Sequence, residues 1–141
     1  MNTIAETIQE LAQRMHGFPD WEDRYAYIIA MGKDLAPYPE EFRSEQFKVK
    51  GCQSQVWLHP ALVNGVIVFD ADSDAVIVKG LAAMLMKVYS GRTPAEINAH
   101  KDDVAVALDL QQHLSPNRAN GLASMMKQIR LYALAYSMIK Q

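Results

Sequence analysis

The dipeptide Asn64-Gly65 separates two short runs of β-branched and aromatic residues. Such a dipeptide favours a tight two-residue turn between antiparallel strands, so the flanking runs Gln55–Leu58 and Val66–Phe69 predict a β-hairpin. A third run, Ala75–Val78, follows the polar stretch Asp70–Asp74, which predicts a second turn and a third strand. A three-stranded antiparallel meander of this size needs helices to cover one of its faces.

Helical periodicity occupies the chain on both sides of these runs. Thr3 and Glu6 have the spacing of a capping box, and Ser115 before Pro116 is typical of a helix N-cap. The sequence therefore predicts an α+β fold in one domain over residues 1–141, with a small three-stranded antiparallel sheet packed against helices. Helices are expected at about 3–16 and 20–33, from 81 until Gly91 ends the helix, and over 102–114. A short helix is expected to begin at Thr93-Pro94, and the last to begin at Ser115-Pro116 and extend at least to Tyr136.

Charge and hydropathy exclude several classes of protein. The formal net charge is −2, which gives no bulk attraction to nucleic acid or to an anionic membrane. No apolar run approaches the roughly 20 residues that span a bilayer. The first residues lack the basic and apolar regions of a signal peptide, so a cytoplasmic location is expected. The single cysteine excludes an internal disulfide.

That single cysteine, Cys52, lies in a polar stretch before the first predicted strand. Gly51 gives the backbone unusual freedom and lets another protein approach. Lys48 and Lys50 are close in sequence, and their charges are expected to favour the nucleophilic thiolate. A lone cysteine is often an inert core residue, but an apolar strand or helix would suit that role better than this loop. The context favours a reactive thiol.

Several thiol chemistries need more groups than the sequence supplies. A zinc site or an iron–sulfur scaffold normally needs several ligands, and a disulfide oxidoreductase needs a second cysteine. A Cys–His hydrolase remains open, because any of four histidines could fold close to the thiol. None of these, His16, His59, His100 and His113, lies in a recognisable catalytic motif. Chemistry that needs only one thiol per chain, such as carrying a sulfur atom, remains compatible with the sequence.

Three other features of the sequence bear on its function. Arg118 falls in the first turn of the last predicted helix, where the dipole and its own charge favour an anion, although a surface ion pair would also explain it. Gly121, inside the same helix, is expected to mark close packing of another backbone. The spacing of Asp70, Asp72 and Asp74 suggests a calcium loop, but the required glycine and glutamate are missing, which favours a solvated turn or an acidic contact surface.

Three segments together resemble the SufE family, the SufE/CsdE-type sulfur acceptors. The run Val49–Trp57, with its Gly-Cys-Gln-Ser-Gln-Val-Trp sequence, is similar to the family's sulfur-acceptor motif. The run Ser73–Leu81 resembles the family's third strand and following helix, and His113–Leu122 resembles the start of its last helix. The likeness extends over nearly the whole chain.

The resemblance implies an α+β fold shared with IscU-like scaffold proteins. It implies that Cys52 accepts sulfane sulfur as a persulfide from a pyridoxal-phosphate-dependent cysteine desulfurase of the SufS or CsdA kind. The chain would then stimulate that enzyme as an accessory, sulfurtransferase-like subunit and pass the sulfur to an iron–sulfur scaffold. It also implies that a pocket shelters the cysteine until the partner docks, that Arg118 lies near the cysteine loop, and that no cofactor is needed. A non-catalytic module that activates its partner by contact remains the main alternative.

Overall fold

Helices flank a β-hairpin in the computed structural model, which describes residues 2–139. The α+β class predicted from the sequence is confirmed. Short 3-10 turns at Glu40–Phe42 and Glu45–Phe47 lead into the hairpin. In chain order the elements are α1 (Ile4–His16), α2 (Trp21–Lys33), β1 (Val56–Val63), β2 (Val66–Ser73), α3 (Val76–Tyr89), α4 (Pro94–Ala99), α5 (Val104–Ala107) and α6 (Pro116–Ser137).

Side-chain caps fix the helix starts that the sequence predicted. Thr3 and Glu6 form both halves of the capping box on α1. The Ser115 hydroxyl accepts a hydrogen bond from the Arg118 N–H at 3.3 Å and caps α6. The helix expected over 102–114 is confined to Val104–Ala107. The helix cannot continue through Asp109, whose φ of 57° is left-handed and incompatible with a right-handed helix.

The Asn64-Gly65 turn is present as predicted. Both residues have positive φ, 49° at Asn64 and 82° at Gly65. Such angles belong to the tight turn whose twist matches two antiparallel strands. Pairing runs from Val63 with Val66 to Val56 with Ser73, so each strand has eight residues and is longer than the sequence indicated.

The predicted third strand is wrong, because its residues begin α3. The sheet within residues 2–139 has two strands, and Val76–Val78 form the first turn of the helix. A four-residue apolar run does not show whether it belongs to a strand or to a buried helix. Here the buried residues continue to Tyr89 and occupy nearly every face of α3, so the run is the start of a buried helix. Asp70 and Asp72 accordingly lie in β2 and not in a turn.

The centre of the fold is α3, which α2 crosses at very short range. A Cβ atom built on Gly80 of α3 would lie 2.4 Å from the Ile28 carbonyl oxygen of α2. One built on Gly32 would lie 2.8 Å from the Gly80 nitrogen. The two helices therefore touch backbone to backbone, which only glycine permits. No helix of the described residues is long and apolar enough to cross a membrane.

Candidate functional site

Cys52 lies on a short loop whose ends pair with each other. The Val49 N–H donates to the Val56 carbonyl at 2.8 Å, and Lys48 pairs with Trp57 in the same antiparallel bridge. Gly51 adopts a φ of 88°, which reverses the chain at little steric cost. Val49 is buried and anchors the loop on the core. The thiol is thus presented at the tip of a closed loop just before β1, as the sequence predicted.

Carboxylates of β2 and the residue after it brace this loop. The Gln55 N–H donates to the Asp74 carboxylate at 3.0 Å, and the Asp74 N–H donates to the Gln55 carbonyl at 3.2 Å. Asp72 forms an ion pair with Arg43 at 2.9 Å and one with Lys79 at 3.4 Å. Arg43 also lies over the Trp57 ring at 4.7 Å. The acidic residues are therefore engaged in structural contacts.

The side chain of Cys52 is half-buried against the first turns of α6. Its sulfur lies 3.9 Å from the Gly121 carbonyl oxygen, to which the thiol can donate a weak hydrogen bond. The Ser124 hydroxyl is its other polar partner. A Cβ atom on Gly51 would lie 3.0 Å from the Ser124 oxygen, so the loop and the helix are in close contact. Cys52 is therefore not an inert, fully buried core residue.

Burial raises the pKa of the Cys52 thiol above its ordinary value, and the hydrogen bond with Ser124 offsets part of that effect. This is opposite to the direction expected from Lys48 and Lys50. Lys48 forms an ion pair with Glu45 at 3.2 Å, and the causes of the shift at Cys52 are burial and the Ser124 hydrogen bond. In the free protein the thiol is therefore kept mainly protonated, and a protonated thiol is a poor nucleophile.

Arg118 lies in a cleft that it shares with the cysteine loop. The cleft holds about 580 Å³ and is lined by Arg118, by Gln53 and Ser54 of the loop, and by the start of α3. Arg118 is exposed and stands in the first turn of α6, which was predicted. Within residues 2–139 no carboxylate lies within ion-pair distance of it, so the surface ion pair considered above is not formed.

The histidines contact other groups. The polar partners of the Cys52 sulfur among the described residues are Gly121 and Ser124, and no histidine is one of them. The structure therefore offers no base for the Cys–His hydrolase that the sequence left open. His59 stacks on Phe42, His100 lies at hydrogen-bond distance from Tyr89, His113 stacks on Trp21 and His16 is exposed at the end of α1.

Ser124 and the Gly121 carbonyl are the site groups that sequence analysis missed. A serine in the middle of a helix has no motif of its own, and its contact with Cys52 depends on how the loop meets α6. The close backbone packing expected at Gly121 is wrong, because a Cβ atom there would meet nothing within 4 Å. The carbonyl of Gly121 faces the sulfur, which was not foreseen.

We expect Ser124→Ala to raise the pKa of Cys52 further, because the substitution removes the one hydrogen bond that favours the thiolate. The rate of Cys52 alkylation by iodoacetamide near neutral pH should fall by roughly threefold, the effect of one modest hydrogen bond. Alkylation of the unaltered protein should rise with pH through a midpoint above that of a free thiol. Ser137→Ala, at the far end of α6, is the control and should leave both quantities unchanged.

Known proteins share both the sequence and the fold. Residues 9–133 match the model of the SufE family, described as an Fe-S metabolism associated domain. An uncharacterized SufE-like protein of Rhizobium etli is 46% identical over 116 residues, covering 79% of this chain and 78% of that protein. SufE-like protein 1 of Arabidopsis thaliana, chloroplastic/mitochondrial, is 41% identical over 128 residues, covering 90% of this chain. The chain spans about a third, 34%, of the length of the plant protein.

A solved structure supports the fold independently. The solution structure of a hypothetical protein from Thermus thermophilus superposes with a TM-score of 0.79, covering 94% of this chain and 97% of the other. The two sequences are 17% identical, so this likeness concerns the fold alone.

Proposed function

The chain belongs to the SufE family, whose domain is associated with iron–sulfur metabolism, and from this premise we propose that Cys52 carries sulfur as a persulfide. The donor is the persulfide of a pyridoxal-phosphate-dependent cysteine desulfurase. The chain stimulates that enzyme by removing its sulfur and delivers the sulfur to an iron–sulfur scaffold. The observation that carries the proposal is the single half-buried thiol at the tip of a braced loop. The two residues that follow it, Gln53 and Ser54, line a cleft together with Arg118.

The transfer is a thiol exchange that needs no outside oxidant. The Cys52 thiolate attacks the outer sulfur of the donor persulfide, one S–S bond forms, the donor S–S bond breaks, and the donor cysteine leaves as thiolate. The proton of the Cys52 thiol passes to that leaving thiolate or to water. The attacking sulfur must be deprotonated, yet burial raises the pKa of Cys52 in the free protein. We infer that docking moves the loop and frees the thiol from its shelter.

Mass spectrometry tests the proposal directly. The protein is mixed with cysteine and a SufS-type desulfurase from the same genome, and the intact chain is then weighed. We expect Cys52 to gain the mass of one sulfur atom, and the gain to be reversed by a thiol reductant. Protein alkylated at Cys52 beforehand is the control and should gain nothing. A chain that stays unmodified while the desulfurase turns over would refute the carrier role.

We further propose that Arg118 stabilises an anion of the transfer step. Its guanidinium lies in the cleft beside Gln53 and Ser54, and the N-terminal end of α6 adds a positive dipole. Both the attacking thiolate and the persulfide formed on Cys52 are anions that would gain from this charge. Arg118 would thus act directly on the reacting groups, as an anion stabiliser.

Arg118→Ala should slow persulfide formation on Cys52 by about tenfold, the size expected for one lost charge-assisted hydrogen bond. Its melting temperature should stay close to that of the unaltered protein, because Arg118 is exposed and forms no ion pair with any described residue. Arg118→Lys should restore part of the rate, since an ammonium lacks the rigid fork of donors. A lower melting temperature with an unchanged transfer rate would instead assign Arg118 to the fold.

A further inference from the structure

A groove of about 620 Å³ runs along α6, on the side that faces the segment 98–114. Leu122 and Met126 are buried beneath it. Leu131 and Leu134 form an apolar wall of the groove, and their side chains remain 48% and 53% exposed to solvent. Two leucines exposed one turn apart beside an open apolar groove leave a contiguous surface that the described chain does not cover.

Positive charge surrounds this groove. Lys101, Lys127 and Arg130 line it, and its one carboxylate, Asp103, already accepts the Ala105 N–H at 2.8 Å. The surface is therefore basic, although the whole chain has a net charge of −2.

The groove continues to the cysteine loop. A cleft of about 450 Å³ beside Gly51 shares Lys127 and Leu131 with it and adds Lys48 and Lys50. Together the groove and the cleft are lined by five cations and one carboxylate. A segment bound along α6 would thus reach the residue next to Cys52.

We propose that this groove docks the cysteine desulfurase through a segment of that enzyme that carries apolar side chains flanked by carboxylates. The inference rests on the proposed function, because it assumes that the desulfurase is the protein that meets Cys52. Apolar side chains of this segment would pack against the wall formed by Leu131 and Leu134. Carboxylates would meet Lys127 and Arg130, which raises the rate of encounter and fixes the orientation of the partner.

Charge and shape disfavour the other occupants. A two-fold pairing of two copies through this face would set Lys127 and Arg130 against the same cations of the second copy, which is repulsive. An anionic membrane would meet the charge requirement, but a bilayer surface is flat and leaves a concave groove unfilled. A polypeptide segment satisfies both requirements.

Two substitutions test the groove. Leu134→Glu places a charge on the apolar wall of the groove. Lys127→Glu reverses the charge of a residue that lines both the groove and the cleft beside Gly51. Each should raise the Kd for a SufS-type desulfurase from the same genome by about tenfold, which is about 1.4 kcal/mol. Matched controls are Val63→Glu, an exposed apolar residue at the hairpin tip, and Lys33→Glu, an exposed cation at the end of α2. Both controls should bind within twofold of the unaltered protein.

A small persulfide donor separates docking from chemistry. Glutathione persulfide should load Cys52 of the Leu134→Glu protein at the unaltered rate, because it does not use the groove. If the desulfurase, supplied with cysteine, binds the unaltered protein but leaves its Cys52 unmodified, while both groove variants bind the desulfurase poorly, the carrier function fails and the docking proposal stands.

Three outcomes overturn the docking proposal. The first is desulfurase binding by folded Leu134→Glu and Lys127→Glu proteins within twofold of the unaltered Kd. The second is binding to vesicles rich in phosphatidylserine that these substitutions abolish without altering desulfurase binding. The third is a concentration-dependent dimer in sedimentation that Leu134→Glu dissociates, again without altering desulfurase binding.

Discussion

Cys52→Ser is expected to reduce desulfurase stimulation to the rate of the desulfurase alone, while binding to that enzyme is retained. Serine occupies nearly the same volume, so the loop contacts with Val49, Gly121 and Ser124 are preserved. A hydroxyl cannot accept sulfane sulfur by thiol exchange, so the donor persulfide is not discharged. Alanine formation from cysteine measures turnover, and calorimetric titration of the two proteins measures binding.

The same variant separates the carrier from the alternatives. A module that activates by contact alone would stimulate the desulfurase fully without the sulfur of Cys52. Protein alkylated with a small group at Cys52 is a second control, because a contact activator should tolerate the group and a carrier should not. A hydrolase would instead cleave model esters or amides without a partner, and Cys52→Ser would abolish that activity.

The features predictable from the sequence are those set by a few neighbouring residues. Asn64-Gly65 specifies its turn through two positive φ angles, and Thr3 with Glu6 specifies a helix start through local hydrogen bonds. The third strand predicted after Asp74 is wrong, although the local preference of that run is for a strand. Burial of the longer segment between α2 and the hairpin overrides that preference.

The candidate site divides in the same way. A loop sequence predicts Cys52 and a helix cap predicts Arg118, and Arg118 shares a cleft with Gln53 and Ser54, the two residues after Cys52. Ser124 and the Gly121 carbonyl come to the sulfur from a segment roughly 70 residues away, so their contact exists only once the loop packs on α6. The predicted direction of the Cys52 pKa shift is wrong for the same reason. Lysines near in sequence predict a lowered pKa, whereas burial of the Cys52 side chain raises it.

Gly80→Ala is expected to lower the free energy of unfolding by about 3 kcal/mol, at the upper end of the usual overpacking range. The added methyl group would lie 2.4 Å from the carbonyl oxygen of Ile28 and 2.8 Å from its carbonyl carbon. Backbone atoms cannot rotate away as a flexible side chain can, so α2 and α3 must separate. Urea unfolding should show the loss, and the melting temperature should fall by roughly 10 °C.

Gly121→Ala is the matched control within another helix. A Cβ atom there meets nothing within 4 Å, and α6 is helical on both sides of it. Alanine should therefore raise the free energy of unfolding by about 0.5–1 kcal/mol, the difference in helix propensity. Opposite signs for the two substitutions would confirm that the α2–α3 contact, and not the loss of glycine as such, destabilises Gly80→Ala. Equal stability of the Gly80→Ala and unaltered proteins would mean that the helices tolerate a wider separation than their contact implies.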